Sequence, residues 1–177
     1  MLEWIRTIMK NLGGFGKFPC LTTSKMMSKQ DEVMPMQLLI QYAMSFIGLP
    51  YKWGGSNPME GMDCSGLVQI ILESVGMDPP GDQTAANLFS YFLANSKASK
   101  AKAGAIAFYG SSRSNITHIA FCLDHFRVIE AGGGGSKTNT RDDAIRQDAY
   151  VRIMPVNRRK DLIGILMPKY KHNLLIT

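Results

Sequence analysis

PYKWGGSNPMEGMDCSG, residues 50–66, decides how this chain is read. A loop rich in glycine and proline runs into Asp63-Cys64-Ser65-Gly66, and apolar residues then recur at helical spacing: Leu67, Val68, Ile71, Leu72 and Val75. That period predicts a helix with one buried face. Asp63 is placed to cap its start. Gly76 suits the left-handed residue after its end, and Pro79-Pro80 stop it. Cys64 lies one turn before Leu67 and Val68 on the same stripe, so it points toward whatever the helix packs on. The unpaired N–H groups of a first turn carry a partial positive charge of about half an elementary unit. A thiol there ionises more readily, and the same N–H groups suit a tetrahedral oxyanion. The alternative is a small buried cysteine filling a helix–sheet contact.

A second candidate comes 54 residues later. His118 stands near the head of the apolar run THIAFCL, residues 117–123. A nucleophile at a helix start and a base on a distant strand form a pair suited to thiol catalysis. Cys122 shares a strand face with His118 and Ala120 and reads as core. His125 falls in a turn and His172 near the end, both as surface residues. Cys20 reads as a bystander. Three cysteines with no CxxC spacing argue against a disulfide scaffold and against a zinc site.

The chain has 177 residues, a formal net charge of +6 and a pI near 9.3. That length suits one domain with an extension. Basic residues gather near the N-terminus, in Lys97–Lys102 and around Arg158, Arg159 and Lys160. The balance favours an anionic partner or a solvated surface. Aromatics do not interleave with the basic runs, which argues against nucleic acid. No run of eighteen apolar residues occurs, so no transmembrane span is expected. Glu3 and Arg6 interrupt the first apolar stretch, so no secretory signal is expected there. Leu2, Trp4, Ile5, Ile8, Met9 and Leu12 form a short amphipathic stripe.

Residues 1–30 read as an extension or docking arm, 31–171 as the domain and 172–177 as a tail. Helices are expected from about Glu32 to Ile47, with Met36, Leu39, Ile40, Ala43, Phe46 and Ile47 inward, and from Thr84 to Asn95, with Leu88, Phe89, Phe92 and Leu93 as the apolar side. The period then changes to 2, predicting strands at Ala105–Tyr109, Ile116–Leu123, Phe126–Ala131, Ala149–Met154 and Leu162–Met167. Thr140–Gln147 suits a short capped helix. Gly132–Gly135 reads as a flexible loop, not a phosphate cradle, because it lacks the lysine and following helix. Helices first and strands second indicate an α+β domain.

Three blocks together resemble the NlpC-type family of papain-like cell-wall cysteine peptidases: residues 50–69, KAGAIAFY at 102–109, and HIAFCLDHFRVIEA at 118–131. The resemblance covers about residues 36–167. It implies helices packed on a five- to six-stranded, mostly antiparallel sheet. It implies Cys64 as nucleophile and His118 as general base, with Tyr51, Asp63 and Ser65 recognising substrate and no metal or cofactor. The implied reaction is cleavage of peptidoglycan stem peptides next to a γ-linked D-glutamyl residue. Two positions depart from the family pattern. Its third polar residue, usually histidine, is Glu130 here, and its usual glycine-aspartate pair is Gly104-Ala105.

A carboxylate at 130 suits the third role, because it can hold the other imidazole nitrogen and favour imidazolium. Geometry sets a condition. Opposite residues of an antiparallel hairpin share a face and their numbers have a constant sum. His118 opposes Glu130 only across an odd-numbered loop or a bulge; a two-residue Asp124-His125 turn would oppose His118 with Ala131. The odd loop is expected.

Without an export signal, a cell-wall enzyme made in the cytoplasm would reach its substrate in a phage particle, after lysis or as an exported effector, and the virion-associated route is the one expected. Residues 1–30 would then dock on a phage tail or other virion structural protein. Two other readings stand beside this one. One is a non-catalytic virion structural or cell-wall-binding module. The other is an acyltransferase or amidase using the same thiol.

Overall fold

Near Ser96 the apolar period turns from 3.6 to 2, and the chain turns from helices to sheet at the same place. The computed structural model describes residues 29–170; the expected docking role of residues 1–28, with Cys20, and the tail with His172 lie outside them. Helix α1 (Lys29–Met44) buries Met36, Leu39 and Ala43, with Phe46 just beyond its end. Ile40 is half-buried, and Ile47 is exposed rather than inward, because the helix has given way to turns by then.

Helix α2 (Cys64–Glu73) has Asp63 as its N-cap, and Gly76 takes φ +66° beyond its end. Leu67, Val68, Ile71 and Leu72 are fully buried. Each contributes about 1.5–3 kcal/mol of apolar transfer, which fixes the helix, and Cys64 with it, against the sheet. Helix α3 (Ala85–Asn95) starts at the Thr84 cap and buries Leu88, Phe89 and Phe92. Leu93, expected inward, is exposed, because the buried stripe is narrower than the apolar one.

Two short strands, β1 (Ser56–Asn57) and β2 (Gly61–Met62), pair inside the glycine-rich loop, and β3 (Lys97–Ala98) forms a sheet edge where only a basic loop was expected. The remaining strands are β4 (Ile106–Ser112), β5 (Asn115–Cys122), β6 (Arg127–Gly132), β7 (Tyr150–Pro155) and β8 (Leu162–Met167), with α4 (Arg141–Arg146) before β7. Thr140 and Asp143 close a reciprocal capping box at the head of α4. The six strands order as β3-β8-β4-β5-β6-β7, every pair antiparallel. This is the α+β architecture expected, helices against a six-stranded antiparallel sheet.

α2 packs on β5 and β6, and α3 on β5. Ile106, Phe108, Ile119, Phe121 and Ile129 join the helices in the main core. The opposite sheet face carries a smaller core of Ala105, Ala107, Tyr109, Ala120, Cys122 and Val128. Cys122 is sealed there, and burial pushes its thiol pKa up to about 12. Ala105, where the family pattern has aspartate, is likewise fully buried.

Candidate active site

The glycines of the deciding stretch dock the loop onto the helix start. Asp63 N–H donates to Gly55 O at 2.9 Å. Its carboxylate accepts from Gly54 N–H at 3.1 Å through Oδ2, and from Gly66 N–H and Ser65 Oγ at 2.8 Å through Oδ1. A Cβ on Gly66 would stand 2.2 Å from Gly55 O, so only glycine permits the approach. Cys64 is held between these anchors. It is 8% exposed, yet its side of the helix lines a cleft of about 500 Å³. The first backbone bond of the helix runs from Leu67 N–H to Asp63 O, and Gly66 N–H is taken by the cap. Those bonds leave the N–H groups of Cys64 and Ser65 as the free dipole end beside the sulfur.

His118 enters the same cleft from β5. Tyr109 pairs with His118, but the next pair is Gly110 with Ile116, so Thr117 is an extra residue. The bulge puts Ile116 into the helix-side core and leaves His118 at the sheet's open end. A Cβ on Gly110 would lie 2.1 Å from Asn115 O, so the irregularity depends on glycine. The Tyr109 ring packs on the imidazole, 5.7 Å between centroids.

Glu130 Oε2 lies 2.8 Å from His118 Nε2, and both side chains are buried. The nitrogen left for the thiol is therefore Nδ1. Burial acts to lower the His118 pKa, but hydrogen bonds and charge from Cys64 and Glu130 outweigh it and lift the value to about 9. Burial also works against ionisation of Glu130, but His118, Arg152 and Arg158 prevail and hold its carboxyl below the usual range. Its second oxygen, Oε1, faces Arg158 Nη1 at 3.4 Å and Arg152 Nε at 3.8 Å.

Leu123, just past the end of β5, donates its N–H to Arg127 O, and the turn inside that bond has three residues, Asp124–Phe126. The odd loop is present. The direct opposition is not: the ladder pairs Cys122 with Val128 and Phe121 with Ile129 and ends there, and that register carried on would set Ala120, not His118, across from Glu130. The pair meets diagonally on one face. Phe126, expected to open the strand, lies in the turn and is exposed, because Asp124 takes the N–H groups of Phe126 and Arg127.

Tyr51 is buried under the glycine loop, and a Cβ on Gly134 would sit 2.3 Å from its ring. Burial, then the neighbouring Cys64 and Asp63, raises its pKa well above the ordinary value, so its hydroxyl stays a donor. Trp53 is half-exposed at the rim, its N–H on Thr138 O at 2.7 Å. The loop at 132–135, expected to be flexible, is tied to Thr138 by hydrogen bonds through Gly135.

All six residues singled out from the sequence, Tyr51, Asp63, Cys64, Ser65, His118 and Glu130, line this one cleft. So do Asp82, Gln83 and Thr84 ahead of α3, and Arg158 and Arg159 between β7 and β8; from the sequence, Thr84 reads only as a helix start and the two arginines only as part of a basic cluster.

A family model described as NlpC/P60 family matches residues 48–154, more than half of the chain. The chain belongs to the NlpC/P60 family. The matched segment holds all six cleft residues above, whereas Arg158 and Arg159 lie just past it. The chain is 34% identical over 103 residues to the bifunctional muramidase/DL-endopeptidase CwlT of Bacillus subtilis, covering 56% of this chain and 30% of that protein. It is 31% identical over 117 residues to the peptidoglycan endopeptidase RipB of Mycobacterium tuberculosis, covering 58% and 45%. It thus spans less than half the length of either relative. The solved RipB structure superposes with a TM-score of 0.58 at 20% identity, over 96% of this chain and 78% of that one. RipD of the same organism, described as a non-catalytic NlpC/P60 domain protein adapted to peptidoglycan binding, gives 0.55 at 18%, over 76% and 96%. At such identities the solved structures show the fold alone. Among the described residues, no helix is long and apolar enough to cross a membrane.

Proposed function

We propose that this chain is a cysteine peptidase that cleaves peptidoglycan stem peptides on the carbonyl side of a γ-linked D-glutamyl residue. The observation that carries the reading is the cleft in which Cys64, at a capped helix start, shares space with His118, whose far nitrogen is held by Glu130. The names of CwlT and RipB supply the substrate class.

In this mechanism the Cys64 thiolate attacks the γ-carbonyl carbon and a C–S bond forms. The Cys64 and Ser65 N–H groups take the oxyanion; losing one such donor typically costs about 10²–10³ in rate. His118 Nδ1 gives its proton to the amine as the C–N bond breaks. Water then passes a proton to His118 and attacks the thioester, releasing the acid and restoring the thiolate. Glu130 keeps the ring oriented and charged. Tyr51, Asp63 and Ser65 edge the acyl side as substrate contacts.

Mass spectrometry of purified muropeptides digested by the parent and by Cys64→Ala tests this. The parent should release fragments ending in D-glutamate, and the variant none. Equal digestion by both would end the peptidase reading. The RipD likeness supports a second reading, a peptidoglycan-binding module without turnover. Binding to cell-wall sacculi with no product from either chain would select it.

A further inference from the structure

We propose that Arg158 reads a carboxylate on the amine-side residue of the substrate, so that the cleft selects a residue carrying a side-chain carboxylate over its carboxamide counterpart. The proposal rests on the peptidase reading for its orientation: the group that protonates the leaving amine marks the amine side of the cleft, and that group is His118.

Three arginines surround the His118–Glu130 pair, and their engagements differ. Arg159 is committed, with Nε and Nη2 on the Asp161 carboxylate at 3.0 and 2.6 Å and its guanidinium 5.4 Å from the Tyr109 ring centre. Arg152 reaches Glu130 at 3.8 Å and Asp148 at 3.2–3.5 Å, and it does not line the cleft. Arg158 does line it. Its side chain is 47% exposed, and its one side-chain contact among the described residues is the long 3.4 Å approach of Nη1 to Glu130 Oε1. A guanidinium has five donors in a planar fork suited to a carboxylate. Most of that fork is unspent.

The position of Arg158 is fixed even though its tip is open. Its backbone N–H holds Pro155 O at 3.0 Å, closing the turn after β7. Two other charged groups of the cleft are already engaged: Asp63 by capping, and Glu130 by His118 and two arginines. Asp82 lines both this cleft and the smaller cavity beside Ser56, Gly66 and Gln69. The spare positive charge of Arg158 lies on the Glu130 side of the cleft, beyond the imidazole that serves the leaving amine. A diamino acid whose side chain ends in a carboxylate would meet it; an amide or a plain lysine chain would not.

Two synthetic tripeptides test this: L-alanyl-γ-D-glutamyl-diaminopimelate with its side-chain carboxylate free, and the same peptide with that group as carboxamide. Dissociation constants are measured with Cys64→Ala, and kcat/KM with the parent thiol, each with and without Arg158→Gln. The expected result is at least about tenfold tighter binding of the carboxylate peptide, the size of one charge-assisted hydrogen bond. Arg158→Gln should abolish that preference, and Arg158→Lys should restore part of it. Equal binding of the two peptides, binding of neither, or a preference that survives in Arg158→Gln overturns the proposal. So does an equal loss of turnover on both peptides, which would make Arg158 only a positioning residue for Glu130. A chain that binds with the expected preference and cleaves neither peptide overturns the peptidase reading alone.

Discussion

Glu130 reaches His118 diagonally, just past the end of the β5–β6 ladder: its carboxylate lies 2.8 Å from Nε2, although the register of the last pair, Phe121 with Ile129, carried on would set it across from Ala120. Diagonal neighbours on one sheet face stand about 7–8 Å apart at Cα, so a long side chain is needed to close the gap. Glutamate supplies two methylenes. Glu130→Asp keeps the charge but withdraws it by one C–C bond, and should lower kcat/KM about tenfold or more, with the fold intact by circular dichroism. Full activity in that variant would show that the diagonal span is not what the third position requires.

The lifted pKa of His118 gives the pH dependence a definite sign. Its folded value, about 9, exceeds the ordinary 6.5 because Cys64 and Glu130 outweigh burial. The protonated ring therefore stabilises the fold fully below about 6.5, and that contribution is lost as pH rises through about 9. We expect an alkaline limb in kcat/KM near pH 9 and a falling Tm between pH 7 and 9. In Glu130→Gln, one of the raising groups is gone, so both features should move to lower pH. NMR titration of His118 checks the assignment; a limb that stays put in Glu130→Gln would separate it from this pair.

Tyr51 depends on a missing side chain opposite it. An added Cβ at Gly134 would meet the ring at 2.3 Å, far inside contact distance. Gly134→Ala should push the ring or the loop aside, costing about 1–3 kcal/mol of stability as overpacking does. The same shift should raise KM more than it lowers kcat, because Tyr51 edges the site without lying between Cys64 and His118. Urea unfolding and steady-state kinetics on one muropeptide measure both effects.

The contrast between what could and could not be read ahead follows from the range of the forces involved. Helix α2 was legible because Asp63, Gly76 and the Leu67–Leu72 stripe are local signals for one structure. The strands from β4 to β8 were legible from period and turn residues. The diagonal register was not, since it depends on the three-residue turn that Asp124 organises through both Phe126 and Arg127. The bulge at Thr117 left a trace, Gly110 where the apolar run of β4 gives way to Ser111 and Ser112; a glycine within a strand marks such irregularities. Ile47 and Leu93 were misplaced because apolar character says what can be buried, not what is covered. Arg158 could not be recognised, as its role comes from where the β7–β8 turn lies relative to β6.

Asp78 offers a stability test away from the chemistry. Its Oδ2 accepts from Gln69 Nε2 at 3.1 Å, while Oδ1 is among the few buried side-chain oxygens of the described residues without a partner. Burial raises its pKa to about 6; the Gln69 bond opposes this and Glu73 adds to it. A carboxyl whose folded pKa is raised favours the fold when protonated and weighs against it once charged. The penalty is absent well below the ordinary carboxylate range, grows from there to about pH 6, and is complete above it. Asp78→Asn keeps the acceptor for Gln69 and removes the charge. Its Tm should exceed that of the parent at pH 8, and the gain should hold down to about pH 6 and shrink from there to pH 4. A gain of equal size at both pH values would trace it to a cause other than the charge.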